Sequence, residues 1–217
     1  MGEFLKNNKT KLIISSLLIL LPMAVGLILW DSLPQQMSTH WGADGNADGS
    51  SSKAFAVFGL PLILLALHLL CVLTTSFDKR NLGQNKKVFS LVFFITPVIS
   101  WFSCGVIYAS ALGAEFSIAS AAYVVIGIMF AVIGNYLPKC RRNSTIGIKI
   151  KWTLESEANW NATHRLAGKL WFFGGFAMIL LAFFPQLPTL VVLLALLALL
   201  ALVPCVYSYR YSKREKK

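Results

Sequence analysis

Six apolar runs of about twenty residues govern what this chain can fold into: Leu12–Trp30, Ala54–Phe77, Val88–Leu112, Ile118–Leu137, Leu166–Phe184 and Thr189–Tyr207. A helix of about 20 residues crosses the roughly 30 Å hydrocarbon core of a bilayer, and a helix satisfies its own backbone there. The runs predict an all-α membrane protein with six transmembrane helices. Only 13% of the residues are charged, against about 25% in an ordinary soluble domain, which excludes a cytosolic globule. Pro97 inside the third run predicts a kink or tilt. The sequence Pro-Gln-Leu-Pro between the last two runs predicts a tight antiparallel helical hairpin.

The net charge of +11 would suit nucleic acid if the cations shared one soluble face. With the N-terminus in the cytoplasm, however, every Lys and Arg except Lys53 falls on inner loops, tails or inner span ends, while Asp31, Asp44, Asp48 and Glu115 fall outside. This asymmetry is a positive-inside signal, so both termini are expected to be cytoplasmic and no direct nucleic-acid binding is expected. The first run follows Lys6, Lys9 and Lys11 in the manner of a signal peptide. It is too long for one and ends at Trp30-Asp31-Ser32 without a small-residue cleavage pattern, which predicts a retained span. Two regions are expected: residues 1–87, a two-span domain with an outer loop at 31–53, and residues 88–217, a four-span domain with a cytoplasmic loop at 138–165.

Chemistry is sparse along these spans. His68 is the one titratable candidate near a bilayer centre, where a neutral imidazole bonding across helices outweighs a proton relay. His40, His68 and His164 fall at three different levels and cannot share a metal, the cysteines sit apart in mostly apolar surroundings, and no phosphate-binding glycine loop occurs. Ser50 and Lys53 form a Ser-x-x-Lys pair, a pattern that arises readily by chance. Asn143-Ser144-Thr145 and Asn161-Ala162-Thr163 match the glycosylation pattern on the cytoplasmic side, as coincidences. No enzyme activity, metal or cofactor is expected.

The two polar loops hold what is left. After Trp41 the outer loop is dominated by Gly, Ser, Asn and Asp, which predicts turns and flexible connections, with His40 and Trp41 as an interfacial lid. In the inner loop Ile146, Ile148, Ile150 and Trp152 alternate with Gly147, Lys149 and Lys151, which predicts a short extended segment with one apolar side. Thr153 or Ser156 can then cap a short interfacial helix running into the fifth span, with Trp160, His164, Ala167 and Trp171 on one stripe and Asn161, Arg165 and Lys169 on another. Such a helix serves as an anchor in the bilayer surface or as a docking face.

These loops carry a resemblance. The outer Leu33-Pro34, Thr39-His40-Trp41, Gly45, Gly49 and Lys53 resemble the small membrane domain of unknown function found at the start of SdpI-like proteins. The inner Ile-Gly-Ile-basic segment at Ile146–Lys149, Trp152-Thr153-Leu154, an acidic turn and Trp160, His164, Arg165 and Gly168 resemble the SdpI family signature. Lys149 departs from the arginine usual in the family and cannot form the same bidentate fork. The resemblance implies a bacterial plasma-membrane immunity protein against a secreted antimicrobial peptide toxin, with a cytoplasmic transcriptional repressor as a second partner. It marks His40, Gly45 and Lys53 as outer signature positions, and Trp41 joins them as a candidate toxin contact. Gly147, Lys149, Trp152, Thr153, Trp160, His164, Arg165 and Gly168 are the candidate docking or signature residues inside. The rival classes are a small transporter or exporter of peptides or lipids, which would use His68, and a membrane enzyme built on His40 or His164.

Overall fold

The computed structural model describes residues 2–42, 45–184 and 189–215. Its helices are α1 (Gly2–Ile28), α2 (Leu60–Phe77), α3 (Lys86–Ala111), α4 (Ile118–Tyr136), the short α5 (Lys151–Glu155), α6 (Glu157–Leu181) and α7 (Thr189–Glu215). A π-helical stretch, Phe55–Gly59, leads into α2, and 3-10 turns follow α1, α2 and α4. Five of these segments are long and apolar enough to cross a membrane, namely Gly2–Ile28, Phe55–Phe77, Lys87–Ala111, Ile118–Lys139 and Val191–Glu215. The expected fifth span lies in α6, which is one continuous helix whose first half is polar and whose second half, from Leu166, is the apolar run. The Pro-Gln-Leu-Pro hairpin and Asp44 lie outside the described residues.

Two departures from the sequence reading concern the loops. The outer loop is not all turn: it forms an antiparallel β-hairpin, β1 (Gln36–Trp41) and β2 (Ala47–Ser52), so the fold is not purely α. The inner alternating segment makes no strand: residues 144–150 are an irregular loop and Trp152 is already helical in α5. Period two was real, but a ladder also needs a neighbouring strand, and among the described residues none pairs with it.

The chain forms two compact units, Gly2–Leu73 with Val92–Ile118, and Thr74–Leu91 with Ala119–Lys217. In the first, Leu33, Met37, Ala56, Val57, Cys104, Ile107 and Tyr108 form a buried cluster. Gly26 is required there, because a Cβ would lie 2.7 Å from both the Tyr108 hydroxyl and a Val57 methyl. Pro22 inside α1 has no N–H to offer the carbonyl four residues earlier, Leu18. The Trp101 indole of α3 donates to that carbonyl at 3.1 Å, and Ser100 and Tyr108 donate to Ile19 O and Pro22 O nearby. His68 is fully buried, with Nε2 2.9 Å from the Ser15 hydroxyl of α1 and its ring edge-on to Phe93, so it makes a hydrogen bond across helices.

The second unit repeats the device. Pro204 in α7 leaves Leu200 O without its helical donor, and the Trp171 indole of α6 supplies one at 3.0 Å. Helices α4 and α6 meet through glycines: a Cβ on Gly134 would stand 2.8 Å from Gly168 O, and one on Gly127 2.6 Å from Gly175 O. Small residues that let backbones touch are how apolar helices associate where lipid and side chain are equally oily. Gly168, a signature position, therefore serves helix packing.

Candidate functional site

The hairpin and the inner loop belong to different units and are built by opposite means. In the hairpin, Met37 points inward, 1% exposed, and joins the buried cluster, with Trp41 packed against it half-buried. Alternation then turns His40 outward. Its Nδ1 bonds to the Asp48 carboxylate, and the side chains are 74% and 53% exposed, so the pair faces solvent. The strand register slips on both sides of His40, and a Cβ on its partner Gly49 would lie 3.0 Å from His40 Cβ. Gly45 turns the tip with φ +81°, and its N–H donates to Gly42 O.

Lys53 does not belong to that outer surface. It is 6% exposed, its Nζ donates to Trp30 O at 2.9 Å, and it stands 5.0 Å from the centre of the Trp30 ring. The lysine closes the end of α1 and seats the hairpin base, and its ammonium is committed to Trp30 rather than to Ser50. Of the four outer candidates, Trp41 being half-buried, His40 is the one with an exposed polar side chain. Asp48, which sequence reasoning passed over, is its partner.

The inner loop is a clamp around one stacked pair. Trp160 and His164, one turn apart on α6, lie with ring centroids 4.0 Å apart and planes 19° from parallel, both fully buried. The Trp160 indole donates to Cys140 O at 2.7 Å. His164 Nδ1–H donates to Trp160 O at 2.8 Å, and Nε2 accepts from Ile148 N–H at 3.0 Å. These two bonds fix the neutral Nδ1–H tautomer, and burial pulls the His164 pKa down to about 4, only partly offset by the Trp160 carbonyl. Gly147 passes directly over the pair with φ +108°, and a Cβ there would stand 2.5 Å from His164 Nε2 and 3.2 Å from the Trp160 ring. The signature Ile-Gly-Ile is thus the strap that the imidazole holds down.

Neighbouring polar residues lock the strap in turn. The Thr153 hydroxyl donates to Ile148 O at 2.7 Å and accepts from Ile150 N–H. Asn143 accepts from Thr145 N–H and Ile146 N–H and donates to Arg141 O and Ile146 O. Gln84 exchanges bonds with both backbone groups of Arg141, and Asp78 accepts from the Ser144 N–H and hydroxyl, each at 2.7 Å. Partial burial alone pushes the Asp78 carboxyl up, but the bonds from Arg80 and Ser144 win and hold it well below the usual carboxylate range. Asn159, capped in by Ser156, donates to Ser208 O and accepts from the Ser208 and Thr163 hydroxyls, all buried. Lys149 and Arg165 are exposed, and Trp152 is half-buried against Tyr209 at 5.0 Å.

The structure therefore splits the inner candidates. Gly147, Thr153, Trp160, His164 and Gly168 are architecture, while Lys149, Trp152 and Arg165 have faces to offer a partner. Asn143, Asn159, Asp78 and Gln84 are not among the sequence candidates, although Asn143-Ser144-Thr145, which matches the glycosylation pattern, is also the pattern of a side chain capping its own turn. Among the described residues no group of His, Cys, Asp and Glu could hold a metal ion.

Residues 139–208 match the model of the SdpI/YfhL protein family, and residues 17–65 match a domain of unknown function, DUF1648. The first match runs from beside Cys140, which Trp160 bonds, to Ser208, which Asn159 bonds, so it encloses the clamp. The second holds the C-terminal part of α1, the hairpin and the start of α2. The chain is also 26% identical over 175 residues to a protein of Bacillus subtilis (strain 168) described as "Immunity protein SdpI", covering 80% of this chain and 82% of that protein. The chain is thus similar to the SdpI/YfhL family over residues 139–208. With five helices long and apolar enough to cross a bilayer, the chain is a multi-pass bacterial membrane protein. No solved structure matches it.

Proposed function

We propose that the chain is a membrane immunity protein protecting its cell from a secreted antimicrobial peptide. The observation that carries this reading is the alignment with the Bacillus immunity protein over most of both chains. In this reading the apolar half of α6 makes a sixth span, both termini are cytoplasmic, and the hairpin faces outward. Its exposed His40–Asp48 pair and the tip beyond Trp41 meet the peptide. The clamp faces the cytoplasm, where Lys149, Trp152 and Arg165 receive a transcriptional repressor. Binding, with no catalysis and no cofactor, is the activity. The scarcity of titratable groups along the apolar helices favours it over transport.

The test is protection. Expressed in a sensitive bacterium, the chain should raise survival under its cognate peptide, and His40→Ala should lower that protection at unchanged protein level. Unchanged sensitivity to every peptide tried would refute the immunity reading. Peptide flux in proteoliposomes, abolished by His68→Ala, would favour a transporter. Recovery of a DNA-binding regulator by the full chain, lost in Arg165→Ala, tests the cytoplasmic arm.

A further inference from the structure

We propose that a cleft beside the clamp binds the headgroup of an anionic phospholipid. The cleft, of about 430 Å³, is lined by Pro138, Ala162, Arg165, Leu166, Lys169 and Tyr207. Arg165 and Lys169 lie one turn apart on α6 and are both exposed. Among the described residues neither makes a hydrogen bond or ion pair, and no carboxylate lines the cleft. Four other cations of this unit are already engaged: Arg141 donates to Gly83 O, Arg142 to Leu154 O, and Lys139 and Lys213 stand over tyrosine rings.

The chemistry of the lining selects the ligand. A guanidinium fork fits two oxygens of one phosphate, the nearby ammonium adds a mobile point charge, and the Tyr207 hydroxyl is a third donor. Pro138, Ala162 and Leu166 are apolar, which suits a ligand with a greasy side. Leu166 opens the apolar run of α6, and exposed Phe173 and Phe176 continue along that helix, with exposed Val203 one turn from Tyr207 on α7. An acyl chain can follow those residues while the phosphate stays with the cations. Basic recesses at the ends of membrane helices attract anionic lipid in this way. Inorganic phosphate would satisfy the charges but gain nothing from the apolar lining.

The experiment uses the full chain, purified in detergent and stripped of lipid, with native mass spectrometry for bound lipid and tryptophan fluorescence for thermal unfolding. Phosphatidylglycerol should remain bound and raise the melting temperature, whereas phosphatidylcholine and inorganic phosphate should not. Arg165→Gln with Lys169→Gln should weaken phosphatidylglycerol binding about thirtyfold, from the usual contribution of each cation near an anionic surface. Arg165→Lys, which keeps charge but loses the fork, should fall between. Both positions are exposed, and the unliganded melting temperature of each variant reports whether it folds. Equal binding of phosphatidylcholine, or unchanged affinity in the double variant, would overturn the proposal. A shift by inorganic phosphate equal to that of the lipid would reassign the cleft to a free anion and overturn it too.

Discussion

Both signature loops contain a histidine, and the two histidines have opposite surroundings. His40 stands in solvent on a two-stranded hairpin with one carboxylate partner. His164 is buried, with both ring nitrogens bonded to backbone and its face covered by Trp160. A signature residue can thus be a surface that others touch or a peg that holds a loop in shape. The difference is decided by whether its bonding capacity is used up inside the molecule. In the hairpin it is left over, and in the clamp it is consumed.

The sharpest way to break this contrast is Gly147→Ala. The methyl would meet His164 and the Trp160 ring on a backbone already in left-handed space, and a loss of about 3 kcal/mol or more is expected. Chemical denaturation in detergent measures it, and near-wild-type stability would mean that the strap is not clamped. His164→Ala should cost about 3 kcal/mol, because it leaves a void and strips Ile148 N–H of its acceptor. In the first unit, Lys53→Met keeps the stem and loses the bond to Trp30 O, for an expected cost of about 1 to 2 kcal/mol.

Acid should separate the loops further. His164 is held neutral in the fold, with its pKa lowered from 6.5 to about 4. Between those values the unfolded chain binds the proton and the folded one does not, so stability falls as pH falls. The contribution of His164 is complete above about pH 6.5 and is lost as pH drops through about 4. Melting temperature followed across that window should decline, and His164→Phe should flatten the decline. At the small end, His40→Ala should leave stability unchanged within error, since exposed ion pairs contribute little, and should act on peptide protection alone.

Much of this was legible in the chain. Hydrophobic run length found the helices because a bilayer enforces a single length scale, and of the two caps the sequence offers, Thr153 and Ser156, it is Ser156 that starts α6. The stripe of Trp160 and His164 was visible from helical spacing, but its burial was not, because the strap that covers it comes from a segment whose alternation looked like a strand. The hairpin was hidden for the converse reason. Residues 47–52 are small and polar, with weak strand preference of their own, and are held in register by β1 and by the seat of Met37. Lys53 reads as the lone outer cation, and its role as a buried brace was hidden, since only coordinates reveal the carbonyl and ring it meets.

Cys140 gives the clamp a native reporter. Its thiol is 3% exposed, near the Asn143 and Gln84 amides, and burial pushes its pKa up to about 11. A closed clamp therefore offers maleimide almost no thiolate, and modification can proceed only as fast as the strap lifts. With Cys71, Cys104 and Cys205 replaced, the labelling rate at Cys140 becomes a clock for opening that can be read in intact membranes. If peptide arriving at the hairpin changes that rate, the two loops communicate; if the rate stays constant, protection and any cytoplasmic output are separate activities of one chain.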